Sequence, residues 1–493
     1  LRTHDPIKCP QSLQSASSKS LARRLPKPLM NFRSNLLFYL ALWCVAATAP
    51  CQSYSIANLG VPGGRPQAIN ENGFVVGWYT VAGGVRPFVH DPVTGTYTDI
   101  GVLAGMSFGS ARDINSLGQI VGSSWPTAIS QPGRAYLFTP GVGLTDLGVL
   151  SGPTSEAYCV DDLGNVGGRA DGTAFTPEAF LQLAGGAMQS VQPGTSGTVH
   201  DLTSTGWRAG VLGNNQAFYW PPGGAVTLVP LPAATPLGRA TGITDSGWVV
   251  GEMSDPSGSP SFAFRYHVPT GVLDNLGSIS RFGTVAGVDS VGTVIANRRI
   301  SISSSTTPLI SIAGAQLVEI DTLLPAGTLW SMKSVAGINE FGQICGLGDF
   351  GGAAVPVRLD PPPAGPFLAS ANQVGGGCSA AVLGASPPRI GRPWRLAMRN
   401  AGSNQPVFSL LTTGHHAPIA LLGSSCGIYM SPLQPIVAEL ASSNAIGSWA
   451  SHFDMPANPS IAGVLVTHQM LLWAPALPFG LAATEATRAT IGN

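Results

Sequence analysis

The chain has 493 residues, of which 44% are apolar and 10% are charged, and its 25 basic and 25 acidic residues cancel in formal charge. This composition excludes a disordered chain, which needs low hydrophobicity and high net charge, and the lack of a basic patch argues against nucleic-acid binding. Because 63 glycines and 41 prolines separate short apolar segments, the composition favours an all-β protein.

The N-terminal region reads as an export segment preceded by an extension. Residues 1–29 come before the first methionine, Met30, and are interpreted as untranslated or disordered. From Met30 the chain reads "MNFRSNLLFYLALWCVAATAPCQS", where Arg33 supplies the positive start. The 14-residue apolar run Leu36–Ala49 is too short to span a bilayer and has the length of a signal-peptide core.

Residues 30–53 are therefore predicted to be a signal peptide, which makes the protein extracellular or attached to the cell surface, with no transmembrane segment in the mature chain. Cleavage after Ala49 or after Ser53 fits the small residues there. Two alternatives stay open: lipidation at Cys51, and an uncleaved N-terminal helix that anchors the chain.

A short motif returns seven times between residues 54 and 359. It consists of an apolar residue, usually a polar residue, and then glycine four positions after the start, as in "INENGFVVG" from Ile69 and "INSLGQIVG" from Ile114. Asn or Asp starts a turn, glycine closes it at positive φ, and the flanking apolar residues form a β-hairpin. The marker glycines, spaced 41 to 50 residues apart, are Gly73, Gly118, Gly164, Gly206, Gly247, Gly292 and Gly342.

Each hairpin has one strand-like segment before it and one after it. A period of about 44 residues with four short strands is typical of a propeller blade, and residues 54–359 hold seven such units, so we predict a seven-bladed β-propeller. The last unit lacks one strand. The segment Tyr54–Leu59 is predicted to supply it by pairing near Val355–Leu359, which would close the ring.

The repeats resemble the HAF family of extracellular repeats, named for an (H)AF triplet. That triplet survives as Ala179-Phe180, Ala217-Phe218 and Ala263-Phe264, beside the "IN-x-x-G" and "DLG-x-L" segments. The resemblance covers the whole repeat region and implies export and repeated β-structure. It carries over no catalytic residue.

After the Pro-rich linker 360–366 the repeat stops. Apolar and alternating segments in residues 367–493 predict a β-sandwich of seven or eight strands. In an exported domain its two cysteines, Cys378 and Cys426, are expected to form a disulfide, the alternative being two free buried thiols. Cys159 and Cys345 belong to different repeats and are interpreted as small core residues.

The C-terminal layout "GGGCS…PPRIGRPWRLAMRNAG…CGIYMSP…HQMLLWAP…RATIG" resembles a C-terminal module of large secreted proteins from planctomycete-type bacteria. This resemblance covers about the last 125 residues. It implies an accessory module for attachment or sorting.

Several short motifs suggest chemistry but have simpler interpretations. "GMSFG" (Gly105–Gly109) matches a nucleophile elbow without the helix that an elbow requires, and "GLGDFG" (Gly346–Gly351) matches a dinucleotide loop without a following helix, so it is read as a plain loop. His415-His416 point to opposite faces of a strand and cannot readily chelate one metal. Asp161-Asp162 are assigned to turn capping rather than calcium.

Tryptophans recur in the repeats and could line a sugar-binding rim. Because Trp207 and Trp248 share one hairpin position, packing between sheets is the preferred interpretation. The tryptophans concerned are Trp78, Trp125, Trp207, Trp220 and Trp248.

These observations favour a secreted, non-catalytic repeat protein that acts as a binding or cell-surface interaction scaffold. Its partner would be an extracellular ligand such as a glycan or envelope component, met by loops at one end of the propeller channel. We expect no cofactor or bound metal, and a monomer. The alternative is a polysaccharide hydrolase or lyase, which would need two converging carboxylates or a Tyr/His/Arg cluster.

The disulfide is directly testable. With a Cys378–Cys426 bond, thiol alkylation of the unfolded, unreduced exported chain labels Cys159 and Cys345 but leaves this pair unlabelled, and reduction lowers stability by about 3–4 kcal/mol. Peptide mass mapping checks the labelling. Full labelling of Cys378 and Cys426 without reductant would show two free thiols.

Overall fold

The chain is built from antiparallel β-strands. The computed structural model describes residues 53–126, 133–259 and 261–362, and in the C-terminal region 370–374, 381–385, 388, 393–399, 401, 404–413, 419–420, 427–428, 437–444, 448–455, 459–473, 481–484 and 486–492. These ranges contain no α-helix, and their helical turns are short 3-10 turns at Thr173–Phe175, Ile320–Leu323 and Pro459–Ile461. The all-β prediction is confirmed.

The repeat region forms seven sheets of four antiparallel strands each, counted over the described residues. A first strand, β1 (Ser55–Asn58), precedes them. Sheets 1 to 3 comprise β2 (Gly64–Ile69), β3 (Val75–Val81), β4 (Gly84–Asp91) and β5 (Thr96–Asp99); β6 (Phe108–Ile114), β7 (Ile120–Trp125), β8 (Arg134–Thr139) and β9 (Gly143–Gly148); β10 (Ser155–Val160), β11 (Val166–Asp171), β12 (Pro177–Gln182) and β13 (Met188–Ser190).

Sheets 4 to 7 continue the same order. They comprise β14 (Gly197–Leu202), β15 (Arg208–Leu212), β16 (Gln216–Trp220) and β17 (Thr227–Leu228); β18 (Leu237–Ile243), β19 (Trp248–Ser254), β20 (Ser261–His267) and β21 (Val272–Ser278); β22 (Thr284–Val288), β23 (Val294–Arg298), β24 (Thr307–Ser311) and β25 (Val318–Glu319); and β26 (Trp330–Ile338), β27 (Ile344–Phe350) and β28 (Ala353–Asp360) with β1.

The seventh sheet is completed by the N-terminal strand. β1 pairs antiparallel with β28, with Ser55 opposite Asp360 and Asn58 opposite Val357. The predicted pairing of the N-terminal segment with the last repeat strand is therefore confirmed. Each sheet also contacts the next one along the chain, and the seventh contacts the first.

The Ala-Phe pairs show how neighbouring sheets pack. Ala217 and Phe218 are 2% and 0% exposed and point to opposite faces of β16, because successive residues of a strand alternate. Ala217 packs in a core cluster with Ala240 and Phe264 of the fifth sheet, whereas Phe218 packs with Ala179 of the third. The triplet thus places a small residue against the following sheet and a large one against the preceding sheet.

The first strand of every sheet contains a β-bulge at the same position. In β2 the register with β3 shifts between Pro66 and Ala68, so Gln67 is left unpaired in the ladder. The same shift recurs in the other six first strands. We call the seven skipped residues the bulge set: Gln67, Arg112, Tyr158, His200, Thr241, Ala286 and Ala336.

Glycine is favoured opposite the bulge. A Cβ added to Gly122 would overlap with the carbonyl oxygen of Ser110, and one added to Gly77 would overlap with that of Arg65. This explains the final glycine of the repeat motif, which six of the seven copies keep and the sixth replaces with Ala296. The marker glycines have a separate role, because all seven have positive φ between 72° and 96°.

One expectation for a short motif is corrected. "GLGDFG" was expected to be a loop, but Gly346–Phe350 lie inside β27 and pair with both β26 and β28. Gly346 is the glycine opposite the bulge of the seventh sheet, since an added Cβ there would overlap with the carbonyl oxygen of Ser334.

In "GMSFG", Ser107 leads into strand β6, where a nucleophile elbow needs a helix.

The C-terminal region forms further antiparallel sheets. Its strands are β29 (Ser370–Val374), β30 (Val382–Ala385), β31 (Pro393–Arg399), β32 (Pro406–Thr413), β33 (Ile419–Ala420), β34 (Gly427–Ile428), β35 (Val437–Ser442), β36 (Trp449–Asp454), β37 (Leu465–Trp473), β38 (Leu481–Ala483) and β39 (Ala486–Thr490). One sheet has the order β29-β39-β37-β32-β35 with β38 beside β37, a second has β30-β31-β36, and β33 pairs with β34. Trp394 and Met398 of the second sheet share one core with Val407 and Met470 of the first.

Cys159 and Cys345 are buried free thiols within the cores between sheets, as expected for small core residues. Cys378 and Cys426 lie outside the described residues, as do the predicted signal peptide up to residue 52 and His415-His416. The described residues contain no helix with the length and hydropathy to span a bilayer.

Because the backbone approaches closely at the bulge, we expect a glycine opposite it to tolerate alanine less well than a glycine elsewhere. Gly122→Ala should destabilise the folded chain by about 2–3 kcal/mol, because the new methyl group meets a backbone carbonyl that cannot move alone. Gly133→Ala is the matched control, since its Cβ would have no atom nearer than 3.8 Å. Urea unfolding checks both. Equal midpoints for the two variants would contradict the close approach.

Candidate functional site

The ends of the seven first strands meet around one cavity. Equivalent residues of these strands are aligned by the apolar residue that starts each motif, such as Ile69 or Ile114. A cavity of about 150 Å³ is lined by residues from all seven hairpins, including Ile69, Ile114, Val160, Leu202, Ile243, Val288 and Ile338. We call this the acid cavity, because its other lining residues include six Asp and Glu side chains.

The residue after each apolar position caps its own turn. The Asn70 Oδ1 accepts hydrogen bonds from the backbone N–H groups of Asn72 (3.1 Å) and Phe74 (2.9 Å). Asp161 does the same for Leu163 and Asn165, which is the turn capping predicted from the sequence. We call these seven residues the capping set: Asn70, Asn115, Asp161, Thr203, Thr244, Asp289 and Asn339.

The asparagines of the capping set also join neighbouring hairpins. The Nδ2 of Asn70 donates to the Asn115 carbonyl (2.9 Å), and that of Asn115 donates to the Asp161 carbonyl (2.8 Å). Asn339 donates to the Asn70 carbonyl (2.9 Å), a link between the seventh hairpin and the first. The side-chain oxygen of each asparagine therefore accepts hydrogen bonds from its own turn, and the side-chain nitrogen donates one to a carbonyl of the next turn.

Carboxylates near the acid cavity serve as acceptors for backbone donors of adjacent sheets. Asp162 accepts from the N–H of Ser116 (2.8 Å), and Glu340 accepts from that of Ser290 (2.6 Å). Asp113 likewise accepts from the Val160 N–H (2.9 Å). These acids hold neighbouring sheets together.

Burial shifts the titration of two of these acids. It raises the pKa of the Asp113 carboxyl from 3.8 to about 6, although two backbone N–H groups favour the ionised form. It raises the pKa of Asp161 from 3.8 to about 7 in the same way. Among the described residues, no group of three or more His, Cys, Asp or Glu side chains has an arrangement that could hold a metal ion.

A second, larger cavity lies near the start of the same strands. Its volume is about 530 Å³, within the range of about 300–1,000 Å³ typical of small-molecule sites. Four members of the bulge set line it, namely Gln67, Arg112, Ala286 and Ala336, together with Arg65 and residues of the sixth and seventh sheets. We call it the arginine cavity.

The bulge set differs from sheet to sheet. Sheets 1 to 4 contribute the long polar side chains of Gln67, Arg112, Tyr158 and His200, whereas sheets 5 to 7 contribute Thr241, Ala286 and Ala336. The cavity lies where the long bulge residues of sheets 1 and 2 meet the alanines of sheets 6 and 7.

The long side chains pack on one another. The Tyr158 hydroxyl donates to the Glu156 carboxylate (2.9 Å), and the Arg112 guanidinium carbon lies 5.3 Å from the Tyr158 ring centre. The His200 ring lies 5.9 Å from that of Tyr158. Burial lowers the pKa of His200 to about 4 and raises that of Tyr158, so both are neutral at pH 7.

The variation that faces the arginine cavity comes from strand bulges, and a ligand site in the variable loops at one end of the propeller channel stays a prediction. One signal in the sequence marks the bulges: the position two residues before the apolar start of each motif differs in nearly every copy. The sequence also favoured packing roles for tryptophans. Trp207 does pack against a core cluster, but Trp78 lines the arginine cavity.

No protein-family model and no curated protein matches the chain. Solved structures similar to it include TolB from Acinetobacter baumannii, with 14% identity over 46% of this chain and 55% of TolB and a TM-score of 0.33. Oligogalacturonate lyase from Vibrio parahaemolyticus has 8% identity over 62% and 93%, with a TM-score of 0.43. YCF48 bound to D1 peptide has 11% identity over 62% and 97%, with a TM-score of 0.40. At these values a likeness does not indicate a shared function.

The raised pKa of Asp161 predicts a pH-dependent stability. The folded chain disfavours the ionised carboxylate, so the stability from this position is complete below about pH 4 and is lost as the pH rises through about 7. Asp161→Asn keeps the cap and removes the charge, as in the three hairpins that have Asn. We expect its melting temperature to exceed that of the unaltered chain at pH 8 and the difference to shrink towards pH 4.

The control for this experiment is Asp91→Asn, because Asp91 caps an outer turn through the Val93 N–H. It should show no such trend in thermal unfolding. A lower melting temperature for Asp161→Asn at pH 8 than for the unaltered chain would contradict the assignment.

Proposed function

We propose that the seven sheets form one closed seven-bladed β-propeller, that the C-terminal sheets form a β-sandwich, and that the chain is an exported, non-catalytic binding protein. The pairing of β1 with β28 and the contact between the first and seventh sheets support the closed propeller. The core shared by two C-terminal sheets supports the sandwich. Export rests on the segment 30–53.

A binding role is supported most by the bulge set. Its seven residues occupy equivalent positions in seven similar sheets, yet they vary from Arg to Ala, and four of them line a cavity of ligand size. The apolar position two residues later is Ile, Val or Leu in every sheet. A scaffold that repeats its packing residues and varies its cavity residues is suited to binding one ligand that lacks the symmetry of the repeats.

A catalytic role as a polysaccharide hydrolase or lyase remains the alternative. It requires two carboxylates, or a Tyr/His/Arg cluster, acting on a substrate at one face. In the acid cavity, Asp113, Asp162 and Glu340 accept hydrogen bonds from backbone groups of adjacent sheets, which favours a structural role for them. In the arginine cavity the lining described contains no Asp or Glu. Arg112, Tyr158 and His200 do pack together, and this is a Tyr/His/Arg cluster of the kind that the alternative needs.

Filling the cavity tests the binding role. The full chain is applied to a glycan array and to cell-envelope fractions, beside the variant Ala286→Phe/Ala336→Phe. We expect the unaltered chain to retain a ligand and the filled variant to lose it, because both alanines line the cavity. Thermal unfolding verifies folding, and Ala286→Gln provides a milder filling if the double variant is unstable.

The control is Ala225→Phe, which enlarges an exposed alanine and should bind normally. Retained ligand is then analysed by mass spectrometry. Recovery of the ligand intact agrees with a binding protein, whereas shortened or unsaturated products would establish the catalytic alternative. Failure of the unaltered chain to retain any glycan or envelope component would refute the proposal.

A further inference from the structure

The arginine cavity has a charge that no described side chain neutralises. Its described lining includes Arg65 and Arg112 and no acidic residue. The eight ion pairs between described residues involve neither of them. The contacts described for Arg112 are a 3.4 Å hydrogen bond to Gln67 and the face of Tyr158, both uncharged at pH 7.

The same cross-strand position shows what sheet 1 lacks. In sheet 5, Arg239 lies opposite Glu252 on the next strand and forms an ion pair at 2.7 Å. In sheet 3 the order is reversed, and Arg169 pairs with Glu156 at 3.1 Å. In sheet 1 the residue opposite Arg65 is Trp78. An indole thus occupies the position where the other two sheets pair a charged residue with its counter-ion.

Part of the remaining wall is polar and uncharged, and the rest is apolar, with residues such as Val285 and Leu347. Asn297 lies opposite Thr284 in sheet 6, and both line the cavity with Ser334 of sheet 7. Asn297 is held in place because it donates to the Val335 carbonyl (2.9 Å) and accepts from the Val335 N–H (3.0 Å). The site therefore combines two guanidinium groups, hydroxyl groups and one aromatic ring.

We propose that this cavity binds an acidic carbohydrate, with the carboxylate of a uronic-acid unit at Arg65 and Arg112 and a sugar ring against Trp78. Guanidinium groups pair with carboxylates through two parallel hydrogen bonds, and an aromatic face accommodates the apolar face of a ring. Hydroxyl groups of the sugar find partners in Thr284 and Ser334. This assignment rests on the proposed binding function and names its ligand class.

Calorimetric titration of the full chain tests the assignment. The probes are trisaccharides of glucuronic, galacturonic and mannuronic acid, each beside its carboxyl-reduced counterpart, and inorganic phosphate. We expect at least one uronide to bind at least tenfold more tightly than its reduced counterpart and than phosphate. Arg65→Gln and Arg112→Gln should each weaken that binding at least tenfold, and Trp78→Ala should weaken it as well.

The control is Arg134→Gln, which removes one positive charge from β8, the third strand of sheet 2, where Arg134 pairs with Asp146. It should bind the uronide normally, and thermal unfolding should show that every variant is folded. Equal binding of a uronide and its reduced counterpart, or equal binding of phosphate, would overturn the ligand class.

The double variant Arg65→Gln/Arg112→Gln separates this assignment from the proposed function. If that variant still binds the glycan or envelope component retained by the unaltered chain as tightly, the site lies elsewhere and only this inference fails. If the unaltered chain retains no glycan or envelope component at all, the binding function itself fails.

Discussion

The hydrogen bond from Asn339 to the carbonyl of Asn70 joins residues 269 positions apart and ties the last hairpin to the first. The same bond type links the first hairpin to the second and the second to the third. A buried turn must pair its backbone groups, and here each asparagine caps its own turn while it satisfies a carbonyl of the next. This double use joins the seventh, first, second and third hairpins, and the pairing of β1 with β28 completes the last sheet.

The β-bulges follow from that arrangement and create the cavity. An extra residue in each first strand leaves one side chain out of the ladder, and glycine on the second strand makes room for the displaced carbonyl. Because the bulge residue has no part in sheet pairing, it is free to differ. Long side chains on four sheets and short ones on three then leave space on one side, which a strictly symmetric set would not.

Charge is distributed unevenly along the first strands. Acidic side chains concentrate at the hairpin ends, where they accept backbone hydrogen bonds from neighbouring sheets, and burial raises the pKa of Asp113 and Asp161. Near the strand starts, Arg65 and Arg112 have no carboxylate opposite them. The first group is accounted for by the packing of the sheets. The packing of the sheets does not explain the two arginines in the same way, and for that reason we associate them with a ligand.

The repeat motif alone was sufficient to predict the all-β class, the hairpins and the pairing of Tyr54–Leu59 with the last repeat strand, because local turn chemistry and strand alternation decide these features. It also indicated that Asp161 caps a turn. It could not show that the Asn70 side chain donates to the next hairpin, because that contact depends on how neighbouring sheets pack. It also could not show that Arg65 lies opposite Trp78, without an acidic counter-ion, because that depends on the strand register. The cavity was likewise beyond the sequence, because its shape depends on side chains from sheets more than 200 residues apart, such as Gln67 and Ala336, that meet only when the first and last sheets are in contact.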